Sequence, residues 1–209
     1  EAGILDGLDT GPAGGIQHGT LTFGKVSGMK VRTVQALSGI VCCSASRRGH
    51  AMNKILILLA HPDLAHSTIN RRWADELSGS PERFTVHDLY RACLDSRIDV
   101  QREQALVESH AHLVLQFPVY WFSSPPLLKQ WQDEVLTYGW AYGSIGHALK
   151  GRKVGIAVSA GTPANDYQAG GAIGHTVAEA LLSFRLAFEY CGADWQPLRL
   201  PRHRQQRRL

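Results

Sequence analysis

No apolar run in this 209-residue chain approaches the roughly 20 residues that a membrane-spanning helix needs, which excludes an integral helical membrane protein. Cysteine is scarce. The four present, Cys42, Cys43, Cys93 and Cys191, show neither C-x-x-C nor zinc-ligand spacing. A zinc ribbon, a thioredoxin motif and a disulfide scaffold are therefore excluded, and reduced thiols point to the cytosol. No G-x-G-x-x-G or G-x-x-x-x-G-K-[ST] occurs where it would make a Rossmann dinucleotide site or a P-loop. A broad basic surface is also missing. The formal charge of +4 divides into +2 for residues 1–51, −3 for 52–198 and +5 for 199–209. The excess sits at the two ends, so the centre offers no basic face for nucleic acid.

What is present is a globular composition, 44% hydrophobic and 19% charged, at a length suited to one ordinary domain. Residues 1–51 are rich in Gly, Ser and Thr and lack useful periodicity, apart from a candidate short hairpin in "TLTFGKVSGMKVRTVQAL". They also lack the apolar core of a secretory signal. Met52 opens "MNKILILLAHP", which reads as a natural start. Residues 1–51 are thus expected to be an N-terminal extension, disordered or non-native. Residues 52–198 are expected to form the folded domain. The Arg-rich "RLPRHRQQRRL" reads as a basic tail or an aberrant C-terminus.

Within residues 52–198, strands alternate with helices. Residues 54–60, 112–117 ("HLVLQF") and 153–159 ("KVGIAVS") are short apolar runs suited to parallel strands buried on both faces. Residues 84–88 alternate as a short strand, and "ADWQPL" begins a last one after the glycine stop at Gly192. Ser67 to Ser78 reads as a helix with Ser67 as N-cap and Ile69, Trp73 and Leu77 on one stripe. Residues 102–109 form another helix. A third opens at Pro125-Pro126 and continues through Leu127, Leu128, Trp131 and Val135, since proline is tolerated in a first turn. Gly174 to Tyr190 reads as one long helix carrying Val177, Ala180, Leu181, Phe184 and Phe188. The alternation predicts an α/β fold with a doubly wound parallel sheet, whose ligand sits beyond the carboxyl ends of the strands.

Three loops at those ends stand out. "HPDLAHSTIN" offers Ser67, Thr68, Asn70 and backbone N–H groups at a helix start, which together can hold one phosphate. His61 adds a donor or a positive charge. Taken alone, Ser67 is a plain cap. "FPVYWFSSPP" places adjacent aromatics at a strand end, suited to a flat ligand, a core or a subunit interface. In "SAGTPANDYQAGG", small residues let a ligand approach the backbone, and Tyr167 follows in a Gly-rich loop. This third segment also reads as a simple surface loop. Together the three suit one ligand with a phosphate and a flat ring, and FMN fits. A response regulator would need acidic residues where His61 and Pro62 stand.

"ILILLAHP", "STIN", "FPVYWFSSPPLLKQWQDEVLTYGWAYG" and "EYCG" resemble the flavodoxin-like NAD(P)H:quinone oxidoreductase family. Its nearest branch by these motifs holds the bacterial ancillary oxidoreductases of glutathione-gated potassium-efflux systems. The resemblance covers about residues 52–198 and is most specific from Phe117 to Gly143. It implies a flavodoxin-like five-stranded parallel sheet with helices on both faces, bound FMN or FAD, a homodimer, and hydride transfer from NAD(P)H to quinones. It assigns His61, Ser67, Thr68, Ile69 and Asn70 to the flavin phosphate. Pro118, Val119, Tyr120, Trp121 and Phe122 fall on the ring, as do Ser159, Ala160, Gly161 and Thr162. The last four replace the family's usual Thr-Thr-Gly-Gly run, a departure that keeps them small. Tyr167 matches a tyrosine over the flavin and takes the catalytic place. His175 lies two residues beyond the matching spacing and takes none. The short chain favours FMN over FAD. No metal is implied. After Pro197 the family continues into an apolar edge strand and a last helix, which "RLPRHRQQRRL" does not supply; exposed sheet surface is then expected to lower stability or promote association.

The implied location is cytoplasmic. The chief alternative is a regulatory ancillary subunit docked on a potassium-efflux transporter, which would place the protein at the inner membrane. A one-electron carrier like flavodoxin needs no substrate site, so the tyrosine-bearing loop counts against it.

Overall fold

Strands with apolar side chains on both faces must be covered on both faces, and the fold is the solution to that demand. The computed structural model describes residues 54–196. The hairpin, extension and start expected within residues 1–52, and the tail at 199–209, lie outside the described residues. Five strands run parallel: β1 (Ile55–Leu59), β2 (Phe84–Asp88), β3 (His112–Pro118), β4 (Lys153–Ser159) and β5 (Asp194–Trp195). Their order is β2-β1-β3-β4-β5. Register is continuous across the middle, with Leu59 opposite Asp88 on one side and Gln116 on the other. The winding reverses between β1 and β3, which opens a crevice at their carboxyl ends.

The helices are α1 (Ile69–Ser78), α2 (Leu89–Ala92), α3 (Val100–Glu108), α4 (Pro126–Val135), α5 (Val177–Ala180) and α6 (Leu182–Tyr190). On one face of the sheet, Leu56, Leu58, Leu113, Leu115 and Phe117 join Val107, Leu128, Trp131, Phe184 and Phe188 in a large core. Phe117 stacks on Phe184 at 5.1 Å between ring centroids, which fixes α6 against β3. On the opposite face, Ile55, Ile57, Phe84 and Val114 pack with Leu77 of α1.

Among the described residues, one acid is buried. Glu103 of α3 accepts hydrogen bonds from His87 Nε2 of β2 at 2.8 Å and from Trp131 Nε1 of α4 at 2.9 Å. Both carboxylate oxygens are thereby satisfied, as a buried charge requires.

The segment expected to be one helix from Gly174 to Tyr190 is two. Gly174 has φ +75°, outside the helical region. Thr176 caps the start instead: its Oγ1 accepts from Glu179 N–H, and Glu179 reaches back to the Thr176 N–H. Leu181, at φ −105° and ψ 21°, then separates α5 from α6. Val177, Leu181, Phe184 and Phe188 stay buried at helical spacing across the break, so the apolar stripe conceals it.

Candidate functional site

The β1–α1 loop begins at His61. Its Nδ1 accepts the Asp63 N–H at 3.1 Å, which leaves the ring proton on Nε2. Burial lowers the pKa of this imidazole, outweighing the opposing pull of Asp63 and Asp88. With Nδ1 accepting, the ring offers its Nε2–H as a donor, and burial disfavours its charged form. A short 3-10 turn (Leu64–His66) leads to Ser67, whose backbone is extended. Ser67 Oγ accepts the Asn70 N–H at 3.1 Å, so Ser67 is a cap whose own O–H remains able to donate. Thr68 is exposed and Ile69 half-buried.

Asn70 ties the site together. Only 1% of it is exposed. Its Nδ2 donates to Ser159 Oγ at the end of β4, at 2.8 Å, and its carbonyl accepts from Gln116 Nε2 of β3, at 2.9 Å. Its Oδ1 is buried and, among the described residues, has no partner. An unmet buried acceptor costs about 1–3 kcal/mol, so this atom calls for a donor from a ligand or a water. Gln116 was visible in the sequence as a polar residue between Leu115 and Phe117 in "HLVLQF", yet its role depends on α1 lying across β3.

The second loop leaves β3 at the buried Pro118. The Val119 N–H donates to the Ser159 carbonyl at 2.7 Å, which extends the β3–β4 pairing. Tyr120 and Ser123 then exchange backbone hydrogen bonds at 3.0 and 2.9 Å across Trp121 and Phe122. Both central residues have positive φ, 48° and 59°. This is the pattern of a type I′ turn, which normally takes Gly, Asn or Asp. Bulky side chains in this conformation cost about 1–2 kcal/mol each. The aromatics are not in the core. Trp121 is 95% exposed, and Tyr120 and Phe122 are 40% and 47% exposed. Strain and exposed aromatic surface coincide here, a combination typical of a ligand clamp.

The third loop leaves β4 at Ser159. Ala160 and Thr162 are half-buried and Gly161 is exposed. A Cβ added to Gly161 would meet nothing within 4 Å, so no protein neighbour demands glycine there; the space is open to a ligand. The stretch that follows folds back on itself. The Ile173 N–H donates to the Asp166 carbonyl at 3.1 Å, and a Cβ at Gly171 would lie 2.5 Å from that oxygen. Tyr167 is consequently 9% exposed and belongs to the large core cluster, rather than standing on a free loop. His175 is exposed, with Nδ1 3.9 Å from Glu179.

The first and third loops thus meet through Asn70 and Ser159, and the second joins them through Val119 and Ser159. Tyr90, which follows β2, was not singled out in the sequence. Burial raises its pKa, while the Leu127 N–H at the head of α4 favours its ionised form. The signal available was its position just past a strand's carboxyl end. Among the described residues, no group of three or more His, Cys, Asp or Glu side chains could hold a metal ion, and no helix is long and apolar enough to cross a membrane.

Residues 53–201 match the profile of a family described as flavodoxin-like fold. General stress protein 14 of Treponema denticola, solved in complex with FMN, is 58% identical, with a TM-score of 0.68 over 69% of this chain and 83% of that one. An uncharacterized NAD(P)H oxidoreductase of Bacillus subtilis is 44% identical over 69% of this chain and 82% of its own length. The glutathione-regulated potassium-efflux system ancillary protein of Salmonella schwarzengrund is 40% identical over 68% of this chain and 80% of its own. With its strand order, its switch-point crevice and a profile match spanning most of its length, the chain belongs to this flavodoxin-like family.

Proposed function

We propose that this protein is an FMN-dependent NAD(P)H:quinone oxidoreductase. The observation that carries this reading is the strained, exposed Tyr120–Ser123 turn beside a phosphate-type loop at the switch point. A strained aromatic turn is retained where it does work on a ligand, and a relative at 58% identity was solved with FMN.

In this reading His61 Nε2–H, the Ser67 hydroxyl, Thr68 and the Ile69 N–H hold the phosphate, helped by the dipole of α1. The donor that Asn70 Oδ1 lacks comes from a hydroxyl of the ligand or from a water, not from the phosphate. Pro118, Val119 and the turn residues Tyr120, Trp121 and Phe122 frame one edge of the ring. Ser159, Ala160, Gly161 and Thr162 bring backbone N–H groups close to the other, where they stabilise negative charge. Bound FMN supplies the hydride-accepting and hydride-donating chemistry, and the protein supplies orientation and electrostatics. Tyr167 donates a hydrogen bond to the oxygen of the acceptor. FMN is preferred to FAD because no described residue marks an adenosine pocket. A homodimer in the cytoplasm completes the reading.

The test is an absorption spectrum after reconstitution with FMN, followed by anaerobic NADPH and then a quinone. Flavin bands that bleach and recover are expected. A protein that takes up no FMN sinks the proposal.

A second reading, the ancillary subunit of a glutathione-regulated potassium-efflux transporter at the inner membrane, is favoured by the exposed apolar row Leu182, Leu186 and Tyr190 on α6. Retention of the transporter's cytoplasmic portion on the immobilised protein would support it. Loss of that retention in a Leu186→Glu variant is expected; retention by neither form ends this reading.

A further inference from the structure

Among the described residues, two buried side-chain atoms have no hydrogen-bond partner, Asn70 Oδ1 and Trp73 Nε1. They belong to residues three positions apart on α1, which project from the same side of the helix one turn from each other. That side faces the sheet. Asn70 and Ala74 are buried on it, Trp73 is half-buried, and Leu77 packs with the cluster of Ile55, Ile57, Phe84 and Val114. The strand β4 presents Gly155, Ala157 and Ser159 to the same layer, opposite Val114, Gln116 and Pro118 of β3. All three are small, which leaves room between helix and sheet beside Asn70.

The two atoms are of opposite kind. Oδ1 is an acceptor, and the indole Nε1–H is a donor. A cation placed between them would face the N–H, and an anion would face the amide oxygen. A neutral hydroxyl-type group suits both, because it accepts and donates at once. Trp73 lies a turn further from the crevice than Asn70, which favours a resident water over a hydroxyl of a ligand in the crevice. We propose that Asn70 Oδ1 and Trp73 Nε1–H together bind one buried water, and that this water holds the Asn70 amide on Ser159. Buried waters make about two to four hydrogen bonds to protein, and these two meet the lower bound. An amide held at one end swings about its Cβ–Cγ bond. Held at both ends, it keeps Nδ2 on Ser159 Oγ, 2.8 Å away. Gln116 Nε2 fixes the same residue by its backbone carbonyl, at 2.9 Å. The water thus completes the tie between the first and third loops, and Trp73 is a positioning residue for Asn70. The tie needs no flavin.

The experiment is NMR spectroscopy of the full ¹⁵N-labelled chain, free and after addition of FMN, with the Trp73 indole and Asn70 side-chain signals found by sequential assignment. A long-held water gives NOE and ROE cross-peaks of opposite sign at the indole N–H, whereas proton exchange gives the same sign in both. Opposite signs are expected with and without FMN. Trp73→Phe keeps a flat apolar ring and removes the donor. In that variant the Asn70 side-chain amide protons should exchange with solvent at least about threefold faster, while the backbone amides of β1 keep their protection. Absent or same-sign cross-peaks in the free protein would overturn the water. Cross-peaks that vanish when FMN binds would assign the place to a hydroxyl of the flavin and would overturn it as well. Unchanged exchange at Asn70, or equal acceleration at Asn70 and β1, would mean that the Trp73 ring only packs, and would overturn the positioning role. If FMN does not bind at all, the flavin reading fails and the signals of the free protein alone decide the water.

Discussion

In the middle of the sheet Leu58, Leu115 and Val154 are fully buried, the one buried acid, Glu103, has partners for both oxygens, and the strands keep regular register. At the carboxyl ends of the same strands, Asn70 Oδ1 is unmet, Trp121 and Phe122 hold positive φ, and three adjacent aromatics face solvent. The two regions share strands, so the contrast does not come from different local stability of the scaffold. It comes from what each region must do. A core lowers its free energy by satisfying every group internally. A binding site must leave some groups to be satisfied by a ligand, and a rigid core lets it do so without unfolding.

The largest expected effect lies in the core. Trp131→Ala removes a fully buried ring and leaves one oxygen of the buried Glu103 without its donor. Unfolding in urea should show a loss of about 3–5 kcal/mol, the usual range for deleting a buried aromatic. A loss below about 1 kcal/mol would erase the distinction between centre and edge.

At the edge, the sign should reverse. Trp121→Gly places a residue that tolerates positive φ in the strained turn. Relief of strain, set against the greater freedom of the unfolded chain, should leave stability unchanged or raised by up to about 1 kcal/mol. FMN affinity should fall at the same time. A variant that loses stability without losing affinity would show that the turn serves the fold instead of a ligand.

The smallest effect is one of pH. Burial lowers the pKa of His61 at the carboxyl edge and of His112 at the opposite end of β3, where Lys153 lowers it further. Below the ordinary imidazole value near 6.5, the unfolded chain therefore binds protons that the folded chain resists. Stability from these two groups is complete above that value and is lost as pH falls toward their lowered folded values. The Tm should decline on acidification through this window, and His61→Gln should shallow the decline. Asp63 and Glu179, whose carboxyl pKa values are held down by His66 and Thr176 respectively, act in a more acidic window and do not confuse the reading. An unaltered slope in the variant would mean that His61 titrates freely.

Much of this was open to a reader of the sequence, for identifiable reasons. "ILILL" and "HLVLQF" are too short and too uniformly apolar for anything but buried strands once helical stripes flank them, and both form as expected. The helix beginning at Pro126 buries the expected Leu127, Leu128, Trp131 and Val135. Failures occurred where a pattern is compatible with two backbones. The stripe from Val177 to Phe188 fits a straight helix and a broken one equally, although the Thr176–Glu179 capping box was there to mark the true start. The aromatics after Pro118 fitted core, interface or ligand alike until the turn showed them outside.

By itself the sequence determined the strands, the longer helices up to Val135 and their alternation, because each depends on side-chain periodicity within a few residues. It determined the chemical types in the three loops for the same reason. The tertiary structure alone decided that Asn70 meets Ser159, 89 positions away, that Arg71 turns back toward Ala65, and that Tyr167 is tucked into the core. Those relations depend on how the sheet is wound and where each loop closes, and no local pattern encodes the path of the backbone between distant segments.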